Sequence, residues 1–207
     1  ENSGGRGDLL AGRRRDAAVK GLDAATSRVE RLRRLDFELP SSGLASGRTV
    51  LAFEAVSFAY PGGDELFRDV SLKMTGPERI AITGPNGVGK SSLLALADGR
   101  LTPVRGRVVR GVRAAFLDQK TALLGEDETL LEAFRRLNPE ATDNAAYAAL
   151  AQFLFRNVAA RKPIAALSGG ERLRAGLACV LMAQTPPQLL ILDEPTNHLD
   201  LESIAAI

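Results

Sequence analysis

The chain has 207 residues, of which 45% are hydrophobic and 5% aromatic, and its formal net charge is +2. A chain of this length can bury one substantial core and a smaller lobe. Its single cysteine, Cys179, excludes an internal disulfide framework and favours a reducing compartment. Because no apolar run reaches the ~18 residues of a membrane span and the N-terminus lacks a signal-peptide pattern, we expect a soluble, cytoplasmic chain without direct membrane insertion.

The positive charge is concentrated at the N-terminal end of the chain. Residues 1–36 carry nine Lys or Arg against six Asp or Glu, whereas the rest carries eighteen against nineteen. Apolar or small residues recur there at helical spacing, at Leu22, Ala25, Val29 and Leu32. This pattern predicts a basic helical segment over residues 1–39, ahead of a globular domain over residues 40–207. The alternative is an ordinary helix with a solvated charged face.

Three strand-like runs open the globular part. The run VLAFEAVSFAY changes its alternation near Ala55 and Val56, which predicts a strand with a bulge. The run DVSLKM predicts a return strand, and RIAIT, residues 79–83, predicts a short apolar strand that ends at a glycine.

A phosphate-binding loop follows that last run. The sequence GPNGVGKS matches G-x-x-x-x-G-K-[ST] and precedes the helical run SSLLALAD, which is the context that this motif requires. Its backbone N–H groups and the following helix N-terminus would surround the phosphates of a nucleotide. The binding residues predicted here are Gly84, Pro85, Asn86, Gly87, Val88, Gly89, Lys90 and Ser91, with the Ser91 hydroxyl as a ligand of Mg²⁺.

Two carboxylates stand after a second apolar strand, LLILD. A parallel sheet would place Asp193 beside the phosphate loop to hold Mg²⁺ directly or through water. Glu194, the next residue, could orient and deprotonate an attacking water. Each carboxylate alone would be an ordinary surface acid, but together with the loop they predict a hydrolytic site.

A second anion site is predicted at the start of the run LSGGE. Ser168 is suited to cap the helix that begins there, and Gly169 and Gly170 leave its first N–H groups uncovered. We expect this helix to continue to the break at Pro186 and Pro187.

These motifs together resemble the ATP-binding-cassette ATPases over roughly residues 51–200. GPNGVGKSS, the glutamine after AAFLD, LSGGE, LLILDE and NHLD occur in the order of that family. DEPTNHLD running into LES resembles the F subfamily, soluble translation factors with two cassettes joined by a long helical linker. The resemblance implies an α/β P-loop NTPase of ABC type: a mixed sheet core with an antiparallel β subdomain, a helical subdomain at about residues 120–166, and a basic helical arm in front.

The resemblance also implies site residues and ligands. Tyr60 matches the aromatic that stacks on adenine, and Ser92 stands where threonine commonly follows the first hydroxyl of the loop. Gln119 matches the glutamine that reaches Mg²⁺ and the attacking water. Asp200 matches the loop that bridges to the opposing cassette. The implied cofactors are ATP and Mg²⁺.

The resemblance further implies partners. The chain would be the end of the linker and most of the second cassette, and it would pair with a first cassette or with a second copy of itself. The basic linker would approach ribosomal RNA and transfer RNA on the ribosome. Isolated in this way, the chain is expected to be almost inactive, since the histidine that contacts the terminal phosphate in this family lies on a later strand.

The only histidine, His198, is assigned to the bridging loop and not to proton transfer. Two other functions are considered. The motor subunit of a membrane transporter would share the cassette, but NHLD and the basic arm favour the F subfamily. A DNA-repair cassette would carry a long coiled coil, for which the stretch between Gln119 and Leu167 is too short.

Overall fold

The computed structural model describes residues 41–118 and 121–194. Within these ranges the chain forms the strands β1 (Thr49–Ala59), β2 (Glu65–Thr75), β3 (Arg105–Arg110), β4 (Ala114–Leu117) and β5 (Leu189–Leu192). The helices are α1 (Lys90–Asp98), α2 (Leu130–Leu137), α3 (Asp143–Gln152) and α4 (Gly169–Leu181). Two short 3₁₀ helices, Asn157–Arg161 and Ile164–Ala166, connect α3 to α4.

An antiparallel sheet with the strand order β2-β1-β3 opens the described chain. Its central strand, β1, is buried from Val50 to Phe53, as expected for an apolar run with a strand on each side. The register against β2 shifts between Phe53 and Val56, and Ala55 between them has a φ of 50°. The bulge predicted from the change of alternation is therefore confirmed, as is the return strand.

The parallel pair β4-β5 lies between two hydrophobic clusters. In β5, Leu189 and Ile191 belong to the cluster that contains β1 and α1, whereas Leu190 and Leu192 pack against the cluster that contains α2, α3 and α4. Successive side chains of a strand point to opposite faces, so this alternation covers both faces of the pair. Both strands run in the same direction, and their carboxyl ends lead into Asp118 and Asp193 at the same edge.

The prediction of a strand over residues 79–83 was wrong, because the described chain has no strand there. Ile80 and Ile82 are 52% and 39% exposed. Alternation of apolar residues gives a segment one apolar side, but a strand also needs hydrogen bonds to a neighbouring strand. Within the described ranges, β5 pairs with β4, and residues 79–83 join neither sheet.

Side-chain caps define the starts of the helices in the helical lobe. Thr129 and Glu132 form a capping box on α2, and the Thr142 hydroxyl accepts the N–H of Ala145 on α3. The helix α4 ends at Leu181, five residues before Pro186. The sequence therefore predicted the start of α4 correctly and its end too far along the chain.

Cys179 and Asn138 are both buried in the helical lobe. Cys179 is buried on α4, and burial raises the pKa of its thiol to about 12. The buried Asn138 amide, at the end of α2, donates to the carbonyl oxygens of Phe134 at 3.0 Å and of Cys179 at 2.9 Å. This side chain therefore ties α2 to α4 through the core.

The limits of the helical subdomain, about residues 120–166, stay a prediction.

Candidate nucleotide-binding site

The phosphate loop curls around the start of α1. Gly84, Gly87 and Gly89 have φ values of 152°, 82° and 99°, which L-amino acids with a side chain rarely adopt. Gly89 has a second constraint, because a Cβ at this position would lie 2.8 Å from Leu66 Cδ2. The glycines thus allow the loop to bend back on itself and to approach β2.

Lys90 lies at the first position of α1 and turns back into the loop. Its Nζ donates to the carbonyl oxygens of Gly84 and Pro85, each at 2.9 Å. An ammonium group has three donors, so the loop holds this charge at the helix N-terminus while a donor remains for an anion. The arrangement concentrates positive charge where phosphates would bind.

Ser91 and Asp193 meet although they are 102 residues apart. The Ser91 hydroxyl donates to Asp193 Oδ1 at 3.1 Å. The backbone N–H of Asp193 in turn donates to the carbonyl of Leu117, which extends the β4-β5 ladder by one bond. Hydroxyl and carboxylate oxygens are the ligands that Mg²⁺ prefers, so this pair fits the ion that the sequence implies.

No cluster of three or more His, Cys, Asp or Glu that could hold a metal occurs in residues 41–118 and 121–194. A Mg²⁺ ion at Ser91 and Asp193 would therefore need phosphate or water oxygens as further ligands. Nucleotide-dependent Mg²⁺ sites have this composition. Glu194 follows with a φ of 53° at the same edge of the sheet.

Tyr60 lies beside the N-terminal end of α1. The residue is 50% exposed, and its ring packs edge-on against Phe58, with ring centroids 5.0 Å apart. Its hydroxyl and the buried Ser92 Oγ are 2.9 Å apart, within hydrogen-bond distance. The free part of the ring is therefore held next to the phosphate loop, where it could stack on a base.

The second predicted anion site lies at the start of α4. The Ser168 hydroxyl accepts the N–H of Glu171 at 3.3 Å, so the predicted N-cap is confirmed. Gly169 and Gly170 form the first turn behind it. The first N–H groups of a helix have no partner within it, and together with the helix dipole they favour an anion here.

Sequence reasoning missed two residues at this helix start. Glu171 Oε2 accepts the N–H of Ser168 at 2.9 Å and completes a capping box, which the spacing S-x-x-E could have indicated. Glu171 Oε1 accepts Nζ of Lys162 at 3.2 Å, and no sequence pattern pointed to that lysine. Burial alone would raise the pKa of Glu171, but the Ser168 N–H and the Lys162 ammonium together keep it below its ordinary value.

Some predicted site residues lie outside the described ranges. These are Gln119, Asp200, His198 and the basic segment 1–39. The structure brings together the loop 84–91, Asp193, Ser92 and Tyr60 at one end of α1, and it places the Ser168 helix start in the lobe formed by α2, α3 and α4. The binding and catalytic roles of all these residues stay predictions.

The fold and this site define a nucleotide-binding cassette of the phosphate-loop class. The profile of the ABC transporter family matches residues 67–197, so the chain belongs to the ABC transporter family and is an ATP-binding cassette. Among curated proteins it is 34% identical over 174 residues to ABC transporter F family member 3 of Arabidopsis thaliana, which covers 83% of this chain and 24% of that protein. It is 38% identical over 165 residues to ATP-binding protein Uup of Escherichia coli K12, covering 77% of this chain and 26% of that protein.

The resemblance to the F subfamily is thereby confirmed, and the chain spans about a quarter of the length of these curated relatives. Solved structures support the cassette fold. An inward-facing metal-chelate type ABC transporter matches with a TM-score of 0.60 at 25% identity, covering 76% of this chain and 64% of that chain. A bacterial Atm1-family ABC exporter with ATP bound matches with a TM-score of 0.64 at 23% identity, covering 82% and 34%. In the described part of the chain, no helix is long and apolar enough to cross a membrane.

Proposed function

We propose that this cassette binds Mg²⁺-ATP and hydrolyses it to ADP and phosphate. The observation that carries this proposal is the 3.1 Å contact between Ser91 Oγ and Asp193 Oδ1 beside the loop that holds Lys90. A bound Mg²⁺ would neutralise phosphate charge there. Glu194, at the same edge, would orient and deprotonate the attacking water, and Gln119 would contact that water.

Replacing Asp193 with asparagine tests the metal part of this proposal. Calorimetry would compare ATP binding with Mg²⁺ and with EDTA, using Asp64→Asn in an exposed turn as the control. Asp193→Asn should reduce the gain in affinity that Mg²⁺ gives, because the carboxylate charge is lost, and should leave metal-free ATP binding nearly unchanged. An undiminished Mg²⁺ effect would contradict the assignment.

We further propose that the whole protein is a cytoplasmic F-type factor that acts on the ribosome in translation or antibiotic resistance. The names of the curated F-family relatives support the F-type part of this proposal, and the basic composition of residues 1–39 supports contact with RNA. That segment would contact ribosomal RNA and transfer RNA through phosphate neutralisation. The cassette would pair with a first cassette of the same polypeptide or with a second copy.

Replacing Arg13, Arg14 and Arg15 with glutamine tests the ribosome proposal. Each lost phosphate contact should lower the slope of log affinity against log salt by about 0.7–0.9. Ribosome co-sedimentation over a range of salt concentrations would measure this slope. An unchanged slope would contradict a role of this segment in RNA contact.

The alternative function is the nucleotide-binding subunit of a membrane transporter, which the transporter structures of similar fold favour. The two functions predict different co-purifying partners when the tagged protein is isolated from its own cells. Recovery with integral membrane proteins and without ribosomes would favour the transporter. Recovery with ribosomal subunits, lost after the triple arginine replacement, would favour the F-type factor.

A further inference from the structure

The capping carboxylate at the start of α4 poses an electrostatic problem. Glu171 is the third residue of α4, and its carboxylate accepts the Ser168 N–H at 2.9 Å. This contact stabilises the helix start, yet it also places a negative charge beside N–H groups that favour an anion. An unpaired carboxylate there would repel a phosphate.

Lys162, in the segment between the two 3₁₀ helices, balances this negative charge. Its Nζ lies 3.2 Å from Glu171 Oε1, the oxygen that does not serve the cap. The Glu171 side chain is 22% exposed and that of Lys162 47%, so water screens the pair only in part. Oε2 of Glu171 thus accepts the capping N–H, and Oε1 contacts the compensating ammonium group of Lys162.

The neighbouring cation on α4 has another partner. Arg172 Nη1 donates to Glu126 Oε1 at 3.1 Å, and its Nη2 contacts the carbonyl of Ile164 at 3.4 Å. Its charge is therefore balanced by Glu126, on the loop before α2. Of the ion pairs formed in residues 41–118 and 121–194, the one that involves Glu171 is with Lys162.

We propose that Lys162 is a positioning residue for the reaction: it fixes the Glu171 carboxylate on the Ser168 N–H and cancels its charge, so that the start of α4 can accept a phosphate of ATP bound to another cassette. This inference rests on the proposed ATPase function. Lys162 touches neither the nucleotide nor the reacting atoms. Its effect is transmitted through Glu171 to the first turn of α4.

Four variants separate the parts of this proposal. Lys162→Gln removes the charge, and Lys162→Arg keeps it. Lys162→Gln with Glu171→Gln removes both charges but leaves an amide oxygen that can accept the Ser168 N–H, since glutamine also serves in capping boxes. Arg135→Gln is the matched control, because it breaks another exposed ion pair of the same lobe, with Asp143.

Hydrogen exchange on this chain provides the first readout. In Lys162→Gln the amides of Ser168 and Glu171, which are hydrogen-bonded in the capping box, should exchange roughly two- to fivefold faster, the scale expected for loss of a partly exposed ion pair. Lys162→Arg should restore protection, and Arg135→Gln should leave these amides unchanged. Equal exchange in Lys162→Gln and wild type would overturn the positioning role.

ATP hydrolysis by a protein that carries this cassette with its partner cassette provides the second readout. Lys162→Gln should lower kcat about two- to fivefold and leave the Kd of ATP unchanged, because ATP first binds the loop at residues 84–91. The double variant should have a higher kcat than Lys162→Gln, because no unpaired negative charge remains at the start of α4. A double variant as slow as Lys162→Gln would overturn charge compensation. If wild type itself releases no phosphate, the proposed ATPase function fails, whereas the exchange experiment still decides the role of Lys162 in the cap.

Discussion

The position of Lys90 shows how one residue prepares a site before a ligand arrives. Two carbonyl oxygens of the loop, on Gly84 and Pro85, hold its ammonium group at the start of α1. Little side-chain conformational entropy is therefore lost when this ammonium group binds a phosphate. Ser91 beside it is held in the same way by Asp193.

Lys90→Ala should weaken ATP binding by roughly 10- to 150-fold. Charge-assisted hydrogen bonds contribute about 1.5–3 kcal/mol each, and at least one such bond to phosphate would be lost. Calorimetric titration with Mg²⁺-ATP measures this change. Lys73→Ala, at an exposed position of β2, serves as the control and should bind ATP like the wild type. Retained affinity in Lys90→Ala would exclude this lysine as a phosphate ligand.

Two glycines of the loop should differ in their tolerance of alanine. Both have positive φ, so alanine costs about 1–2 kcal/mol at either position. At Gly87 nothing lies within 4 Å of the new Cβ, whereas at Gly89 it would meet Leu66 Cδ2 at 2.8 Å. Gly89→Ala should therefore lower the free energy of unfolding by a further ~1 kcal/mol or more through overpacking. Urea denaturation measures the free energy of unfolding of both variants. Equal losses of this free energy would show that the Leu66 side chain moves aside without destabilising the fold.

At the scale of whole elements, local signals in the sequence were reliable and pairing signals were less so. The phosphate loop motif predicted α1, and the change of alternation predicted the bulge at Ala55, because each depends on neighbouring residues. The strand over residues 79–83 was predicted wrongly, since alternation does not identify a hydrogen-bonded neighbour. The position of Asp193 beside the phosphate loop was expected from the parallel strand that precedes it, but the partner of Glu171 was not, because Lys162 belongs to no motif.

The junction of α2 and α4 offers a prediction at this scale. Asn138→Ala removes a buried amide that donates to Phe134 and Cys179, leaving the Cys179 carbonyl without this bond. Loss of a buried hydrogen-bond partner costs about 1–3 kcal/mol, so the free energy of unfolding should fall by this amount. Asn144→Ala, at an exposed position of α3, is the control and should change it by less than ~0.5 kcal/mol. Matching denaturation curves for the two variants would refute the role of Asn138.

At the scale of the whole molecule, the two candidate phosphate sites belong to different parts of the fold. The helix α1, which follows the loop, packs in the cluster with β1, whereas α4 packs in the cluster with α2 and α3. The pair β4-β5 lies between these clusters. This separation fits the proposal that ATP on one cassette meets the Ser168 helix start of another.

This arrangement predicts that the chain alone binds ATP but releases phosphate at least about a hundredfold more slowly than a protein in which it is paired with a second cassette. Preplaced donors at the transferred phosphate are a large catalytic term, and loss of one typically costs roughly 10²- to 10³-fold. Phosphate release would be measured for both proteins with Glu194 intact and with Glu194→Gln, which should abolish the paired rate while ATP binding persists. The rate per chain should also rise with concentration if a second copy supplies the Ser168 helix start. A concentration-independent rate equal to that of the paired protein would show that one cassette completes the site by itself.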